Sequence, residues 1–290
     1  MYFRCGNGRN SGPSVKVLSF EMHDIRPTIV TRPEWLRANA DDWAIFIDID
    51  GTLLEMAPRP DAVIVPAGLP SMLGALADRL GGALALSTGR SVAEADRLLT
   101  PLKLVTSGVH GTEVRSSPDG TATMLVPPVS AALLKEVMDV AQMSPEIIVE
   151  TKGAGVAVHY RQVPELRSVL EIELGKIADR RDTIVLRPGR RVLEILPKGY
   201  TKGAGLAWLM RRPPFEGRRP IMIGDDYGDE SALAMAQSLG GVGLRVAGEY
   251  FAPEVSDFEG VLATRAWLAA VAGQDTIGLE VASRIADVDS

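Results

Sequence analysis

Ala44-Ile45-Phe46-Ile47-Asp48-Ile49-Asp50-Gly51-Thr52-Leu53-Leu54 decides how this chain folds. An apolar run without a charge ends in two carboxylates, then Gly and Thr. Such a run reads as a strand buried on both faces, as in a parallel sheet. Asp48 and Asp50 then stand at its carboxyl end, where open α/β sheets place their ligands. Alternation along an extended chain points both carboxylates one way and Ile49 the other. Two close carboxylates repel unless a cation or a shared proton relieves them. Asp-Gly is also a common turn dipeptide, so this stretch alone leaves an active site and a plain turn level.

The neighbouring sequence extends the pattern. A helix is expected over 67–80, with Leu69, Met72, Leu73, Leu76 and Leu80 along one face. A second apolar strand, 83–86, leads into Ser87-Thr88-Gly89-Arg90, and a helix over 91–99 follows. A third strand, 102–107, leads into Gly108-Val109-His110-Gly111. Strand, helix, strand, helix, strand is the signature of a parallel sheet. The texture changes at Ser116-Ser117-Pro118-Asp119-Gly120. Strands over 121–126, 147–150 and 155–160, helices over 129–141 and 164–179, and a hairpin of 184–187 with 191–196 read as an inserted α+β unit. The parallel pattern resumes with a helix from Lys202, a strand at 220–223 ending in Gly224-Asp225-Asp226-Tyr227-Gly228-Asp229-Glu230, a helix over 230–238, a strand over 241–246 and a short helix over 265–272. The division is therefore an N-terminal extension over 1–40, partly disordered; a core over 41–116 and 197–275; an inserted cap over 117–196; and a tail over 276–290. Within the extension, 15–20 is a candidate edge strand, and Thr31 is a candidate cap for a short helix at Pro33.

Composition bounds the function. The 290 residues carry a net charge of -6, which argues against a polyanion binder and hence against nucleic acid. One cysteine, Cys5, rules out an internal disulfide and fits a reducing compartment. The longest uncharged run, 62–77, is too short to span a bilayer and holds Pro66, Gly68 and Pro70. The first fourteen residues lack a signal-peptide core. A soluble, cytoplasmic protein is expected, with no membrane partner.

Four polar clusters fall at the carboxyl ends of core strands or beside them: Asp48 with Asp50, Ser87 to Arg90, Lys202, and Asp225, Asp226 and Asp229. A doubly wound sheet brings those ends into one crevice. Several carboxylates there need a cation, and an all-oxygen set favours Mg2+ over Zn2+. Hydroxyls, an Arg and a Lys nearby suit a phosphoryl group.

In this order the clusters resemble the four motifs of the haloacid dehalogenase superfamily of phosphatases. The resemblance implies a Rossmann-like doubly wound core and a division of labour. Asp48 would be the nucleophile, Asp50 the general acid and base, and Lys202 the charge stabiliser. Thr52, Ser87, Thr88, Gly89 and Arg90 would surround the phosphoryl group. Mg2+ would be held by Asp48, Asp225 and the backbone carbonyl of Asp50, with Asp226 and Asp229 as partial or outer ligands. Glu150-Thr151-Lys152, Val158-His159-Tyr160-Arg161 and the run Gly189 to Gly203 resemble the cap of trehalose-6-phosphate phosphatases. The similarity spans roughly residues 43–267. It implies a small-molecule sugar phosphate, trehalose 6-phosphate, as substrate, and a functional link to a trehalose-phosphate synthase. It implies sugar contacts from Glu150, Lys152, Arg161, Arg190 and Glu194, with His110 facing the substrate.

The chain departs from that family pattern at Leu196, where members usually carry Arg, and at Arg190, where many carry Lys. Leu196 is expected to face an apolar core. Simpler readings stand beside these. His110 could be satisfied within a tight turn. One of His159 and Tyr160 should be packing, and Glu150 with Lys152 could be a solvated ion pair. Arg211-Arg212 and Arg218-Arg219 read as a solvated loop, and Met210, Met222 and Met235 as core filler. A capped phosphatase of another sugar phosphate, such as mannosylglycerate or sucrose phosphate, shares the core motifs. So does a silent partner of the synthase. A phosphoacceptor of response-regulator type would use an Asp pair and a Lys but would not need Asp50 as an acid or a cap of this size.

Overall fold

The computed structural model describes residues 25–57, 62–189 and 191–274. The strands in chain order are β1 (Trp43–Ile47), β2 (Leu84–Ser87), β3 (Val105–Gly108), β4 (Glu113–Arg115), β5 (Thr123–Met124), β6 (Ile148–Lys152), β7 (Gly155–His159), β8 (Ile184–Gly189), β9 (Val192–Pro197), β10 (Arg219–Gly224) and β11 (Val242–Arg245). The helices are α1 (Arg26–Thr31), α2 (Pro33–Ala38), α3 (Leu69–Arg79), α4 (Val92–Leu99), α5 (Ala131–Ala141), α6 (Arg167–Asp179), α7 (Lys202–Leu209), α8 (Glu230–Ser238) and α9 (Val261–Ala272).

β1 is buried along its whole length, as its uncharged run requires. Burial of each of Ile45, Phe46 and Ile47 contributes about 2 kcal/mol. The strand is central in a seven-stranded sheet of order β11-β10-β1-β2-β3-β4-β5. β11 through β3 run parallel, and β4 and β5 close the edge antiparallel. From β1 the chain moves outward through α3 to β2; from β10 it moves the opposite way through α8 to β11. Right-handed crossovers then put α3 and α8 on opposite faces, so the sheet is doubly wound. The order reverses between β1 and β10. That is the switch point where such sheets open a crevice beyond their carboxyl ends.

The inserted unit is a four-stranded antiparallel sheet of order β6-β7-β9-β8. One face packs on α5 and α6 through Val156, Val158, Tyr160, Leu193 and Ile195, all but sealed from water. Alternation turns Glu150, Lys152, His159 and Glu194 to the other face, toward the core.

Several expectations need correction. Residues 25–40 are not an appendage. Ile29 and Leu36 are fully buried in the main core, and the Trp267 indole donates to the Ile29 carbonyl at 3.1 Å. Thr31 does not cap α2. Its hydroxyl donates back to Pro27 O at 2.6 Å, within α1. The strand expected over 121–126 shrinks to β5, and it edges the large sheet rather than the inserted one. α9 begins four residues earlier than its expected 265, because Val261 is buried too. The basic clusters are not a solvated loop. Arg218 donates to the carbonyls of Ala40 and Trp43 at 3.0 Å each. Arg212 lies 3.4 Å over the Trp208 ring. The candidate edge strand at 15–20, Arg190 and the tail from 276 lie outside the described residues.

Candidate active site

Asp48 follows β1 directly and Asp225 follows β10, so the switch point brings two carboxylates together. The turn between Asp50 and Leu54 needs Gly51. Its φ is +86°, and a Cβ there would meet Asp225 Oδ2 at 2.0 Å. Lys202 opens α7, where the helix dipole disfavours a cation. Two anions hold it there. Its Nζ lies 2.8 Å from Asp48 Oδ1 and 2.7 Å from Asp229 Oδ1. Asp229 has no exposed surface, and its Oδ2 accepts the backbone N–H groups of Asp225 at 3.2 Å and Asp226 at 3.1 Å.

Among the described residues, Asp48, Asp225 and Asp229 form an all-oxygen group whose donor atoms lie within 4.8 Å of one another. One ammonium faces three carboxylates, and the imbalance shows at Asp48 and Asp225. Burial drives the Asp48 carboxyl well above its usual range; Lys202 opposes this, and Asp229, Asp225 and Asp50 reinforce it. Asp225 is pushed up to about 7 by burial and then by the Asp229 charge, with Lys202 and the Thr52 hydroxyl pulling it partly back. Burial opposes the Lys202 charge, but Asp229 and Asp48 more than reverse that and hold its pKa above the usual lysine value. A hard divalent cation would relieve this excess of negative charge, and the residues fit one.

The other motif residues take distinct places. Arg90 grips Asp50 with two bonds, Nε to Oδ2 and Nη2 to Oδ1, each 2.6 Å. Thr52 donates to Asp225 Oδ1 at 3.0 Å. Thr88 is buried, and its hydroxyl accepts the Arg90 N–H at 3.1 Å. Ser87 is also buried, and its hydroxyl finds no partner among the described residues. Asp226 turns its carboxylate to the Tyr227 N–H at 2.5 Å and caps the turn that leads into α8.

Beside these groups lies a cavity of ≈ 890 Å3 shared by the core and the inserted sheet, with Thr52, Ser87, Thr88 and Asp229 buried outside its lining. Its lining includes Asp48, Asp50, Gly89, Arg90, Lys202, Asp225 and Asp226 from the core, and Glu150, Lys152, Arg161 and Glu194 from the insert. His110 is both satisfied and cavity-facing, since its Nε2 shares a hydrogen bond of 3.2 Å with Glu194 Oε1 across the two units. It is presented by a strained backbone. Val109 and His110 have φ of +45° and +53°, a conformation uncommon for non-glycine residues and an outlier for a β-branched one.

Lys152 lies 3.8 Å from Glu150, which is 35% exposed, and 3.7 Å from Glu194, which is 10% exposed, so it is shared between two carboxylates rather than paired with Glu150 alone. Burial raises the Glu194 pKa, but His110, Lys152 and His159 overcome it and bring the carboxyl down to about 2. A hydrogen bond from His159 likewise holds Glu150 low. His159 was missed as a site residue. It pairs with Ile148 in the sheet, shares that residue's face, and bonds Glu150 at 2.9 Å. The alternation of 155–160 offered either His159 or Tyr160 as packing; Tyr160 is the buried one. Leu196 does not face the apolar core. It shares the face of Glu194 and fills the space beside Gly155, where a Cβ would meet its Cδ2 at 2.7 Å.

Comparison with known proteins identifies the family of the chain. The trehalose-phosphatase family model matches residues 46–254. A probable trehalose-phosphate phosphatase of Sinorhizobium fredii is 41% identical over 216 residues, covering 73% of this chain and 80% of the relative. The trehalose-6-phosphate phosphatase of Escherichia coli is 38% identical over 205 residues, covering 70% and 77%. The C-terminal domain of the C. albicans trehalose-6-phosphate phosphatase superposes with a TM-score of 0.73 at 17% identity, covering 86% of this chain and 97% of that one. With its motif carboxylates gathered around Lys202 at the sheet's switch point, the chain belongs to the trehalose-phosphatase family of phosphatases.

Proposed function

We propose that this protein is a Mg2+-dependent phosphatase that converts trehalose 6-phosphate to trehalose and phosphate. One observation carries the reading: the buried Asp48–Lys202 pair lies in the cavity that Glu150, Lys152 and Glu194 also line. The first pair suits an attack on phosphorus, and the second group suits a ring of hydroxyls.

In this reading Asp48 attacks the phosphoryl group, its bond to phosphorus forming as the bond to the sugar oxygen breaks. Asp50 gives that oxygen a proton as it leaves, and later takes one from the water that hydrolyses the aspartyl-phosphate. Lys202 opposes the neutralisation of Asp48 that burial favours, and orients its carboxylate. Thr52, Ser87, Thr88, Gly89 and Arg90 are assigned to the phosphoryl group; Gly89 and Arg90 line the cavity, and Thr52, Ser87 and Thr88 lie buried behind its wall. Asp48, Asp225 and the Asp50 carbonyl would hold Mg2+, with Asp226 and Asp229 behind. When bound, the ion supplies positive charge against the transferring phosphoryl group. Glu150, Lys152, Arg161, Arg190, Glu194 and His110 read the sugar. The inserted unit, 117–196, closes over it and excludes bulk water. We place the reaction in the cytoplasm, after a trehalose-phosphate synthase, since a phosphorylated disaccharide must first be made.

The test is phosphate release from a panel of sugar phosphates with and without Mg2+. Trehalose 6-phosphate should be preferred and Mg2+ required. Turnover no better than that of glucose 6-phosphate would refute the substrate assignment.

A further inference from the structure

Two aromatic side chains at the cavity wall are unused by this chemistry. Tyr227 is 53% exposed and Tyr250 47% exposed, and both line the cavity. Of the five tyrosines in the chain, two therefore stand at this one rim. Their rings meet edge to face at 5.9 Å. Tyr250 rests in turn on Phe251, with centroids 4.8 Å apart, and Phe251 is only 5% exposed. The Arg245 guanidinium sits 5.0 Å over that Phe251 ring. The pair is thus a ledge anchored in the core rather than two loose side chains. The Tyr227 backbone is held as well, because its N–H donates to Asp226 at 2.5 Å.

A pyranose ring has a rim of hydroxyls and two faces of C–H groups, so a site for it needs polar partners and an apolar plate. The inserted sheet supplies the polar partners in Glu150, Lys152 and Glu194. Among the described residues, the aromatic side chains of the cavity lining are Tyr227 and Tyr250, both from the core side. Lys152 links Glu150 and Glu194, and Glu194 bonds His110 of the core; in the function proposed above, one sugar ring engages this group. A disaccharide has a second ring that needs another wall.

We propose that Tyr227 and Tyr250 form a stacking ledge for the second, unphosphorylated ring of the substrate. The proposal rests on the assignment of trehalose 6-phosphate made above. It makes the ledge a determinant of disaccharide over monosaccharide phosphate.

The experiment is steady-state hydrolysis of trehalose 6-phosphate and glucose 6-phosphate, with Mg2+. The proteins are wild type, Tyr250→Ala, the double variant Tyr227→Ala with Tyr250→Ala, and Tyr250→Phe. The double variant should raise KM for trehalose 6-phosphate about tenfold, equivalent to about 1.4 kcal/mol of binding, with kcat little moved. The preference for trehalose 6-phosphate over glucose 6-phosphate should fall by the same factor. Tyr250→Ala alone should show part of the loss, and Tyr250→Phe, which keeps the ring, should restore it. Equal loss on both substrates, or none on either, overturns the ledge. A wild-type protein without the preference overturns the ledge and the substrate assignment together. A preference that survives both alanine substitutions overturns the ledge alone. Sedimentation is run in parallel. A dimer that dissociates in the double variant would mean the rings cover a second copy of the chain, and that also overturns the proposal.

Discussion

The Lys202 ammonium lies 2.8 Å from the Asp48 carboxylate, with 5% and 6% of the two side chains exposed. A buried pair of this kind costs desolvation on both sides, and removing one partner strands the other. Here the loss is larger, because Asp229 leans on the same ammonium at 2.7 Å. Lys202→Met should destabilise the fold by about 3–5 kcal/mol in urea denaturation. It should also lower kcat by about 10³-fold, as expected when a preorganised charge is removed. A stable and active Lys202→Met protein would show that Asp48 does not depend on this contact.

Arg90 grips both oxygens of Asp50 at 2.6 Å. The fork fixes the carboxylate plane, which a point charge cannot do. Arg90→Ala should lower kcat about 10²-fold, the scale of a misplaced reacting group. Arg90→Lys should recover only part of it. Full rescue by lysine in a kcat measurement would mean that charge alone matters.

Glu194 joins the two units through His110 and carries a pKa brought down to about 2. A lowered carboxylate stabilises the fold above its unfolded value of about 4.5, and that contribution fades as pH falls from there toward about 2. Glu194→Gln should therefore unfold with a flatter acid limb, read by circular dichroism across that range. In kinetics it should lower kcat/KM for trehalose 6-phosphate about 10- to 100-fold, the weight of a hydrogen bond to a charged group.

Leu36 is wholly buried and belongs to the main core, although it lies in the first forty residues. Leu36→Ala should cost about 2–5 kcal/mol in denaturation. Because Leu36 packs in the core and does not line the cavity, kcat of the folded protein should hold. A neutral result would return residues 25–40 to the status of an appendage.

What the sequence revealed follows from the range of the interactions involved. Asp48, Asp225 and Lys202 were legible because each follows or precedes a strongly patterned element, and a parallel sheet gathers such ends at one edge. The Arg90–Asp50 grip was not legible, since forty residues separate the partners and either could have faced the phosphate. His159 was hidden by its neighbour: alternation separates His159 from Tyr160 but does not say which faces the helices. Leu196 failed for the same reason, as its strand is apolar on both faces near its end. β4 and β5 span three and two residues, too few for any periodicity. β4 is fixed instead by Arg115, whose guanidinium bonds both oxygens of Asp96 at 2.5 and 2.6 Å. Residues 25–40 carry no legible pattern because α1 and α2 span six residues each, and each buries a single side chain, Ile29 and Leu36.

The central claim is that Asp48 takes the phosphoryl group from trehalose 6-phosphate. The most direct measurement compares phosphate release by wild type and Asp48→Asn at saturating substrate with Mg2+, alongside a denaturation curve for each. The substitution keeps the side-chain shape and removes the nucleophile, so the account predicts a folded protein with no turnover. A folded Asp48→Asn protein that still releases phosphate would contradict it.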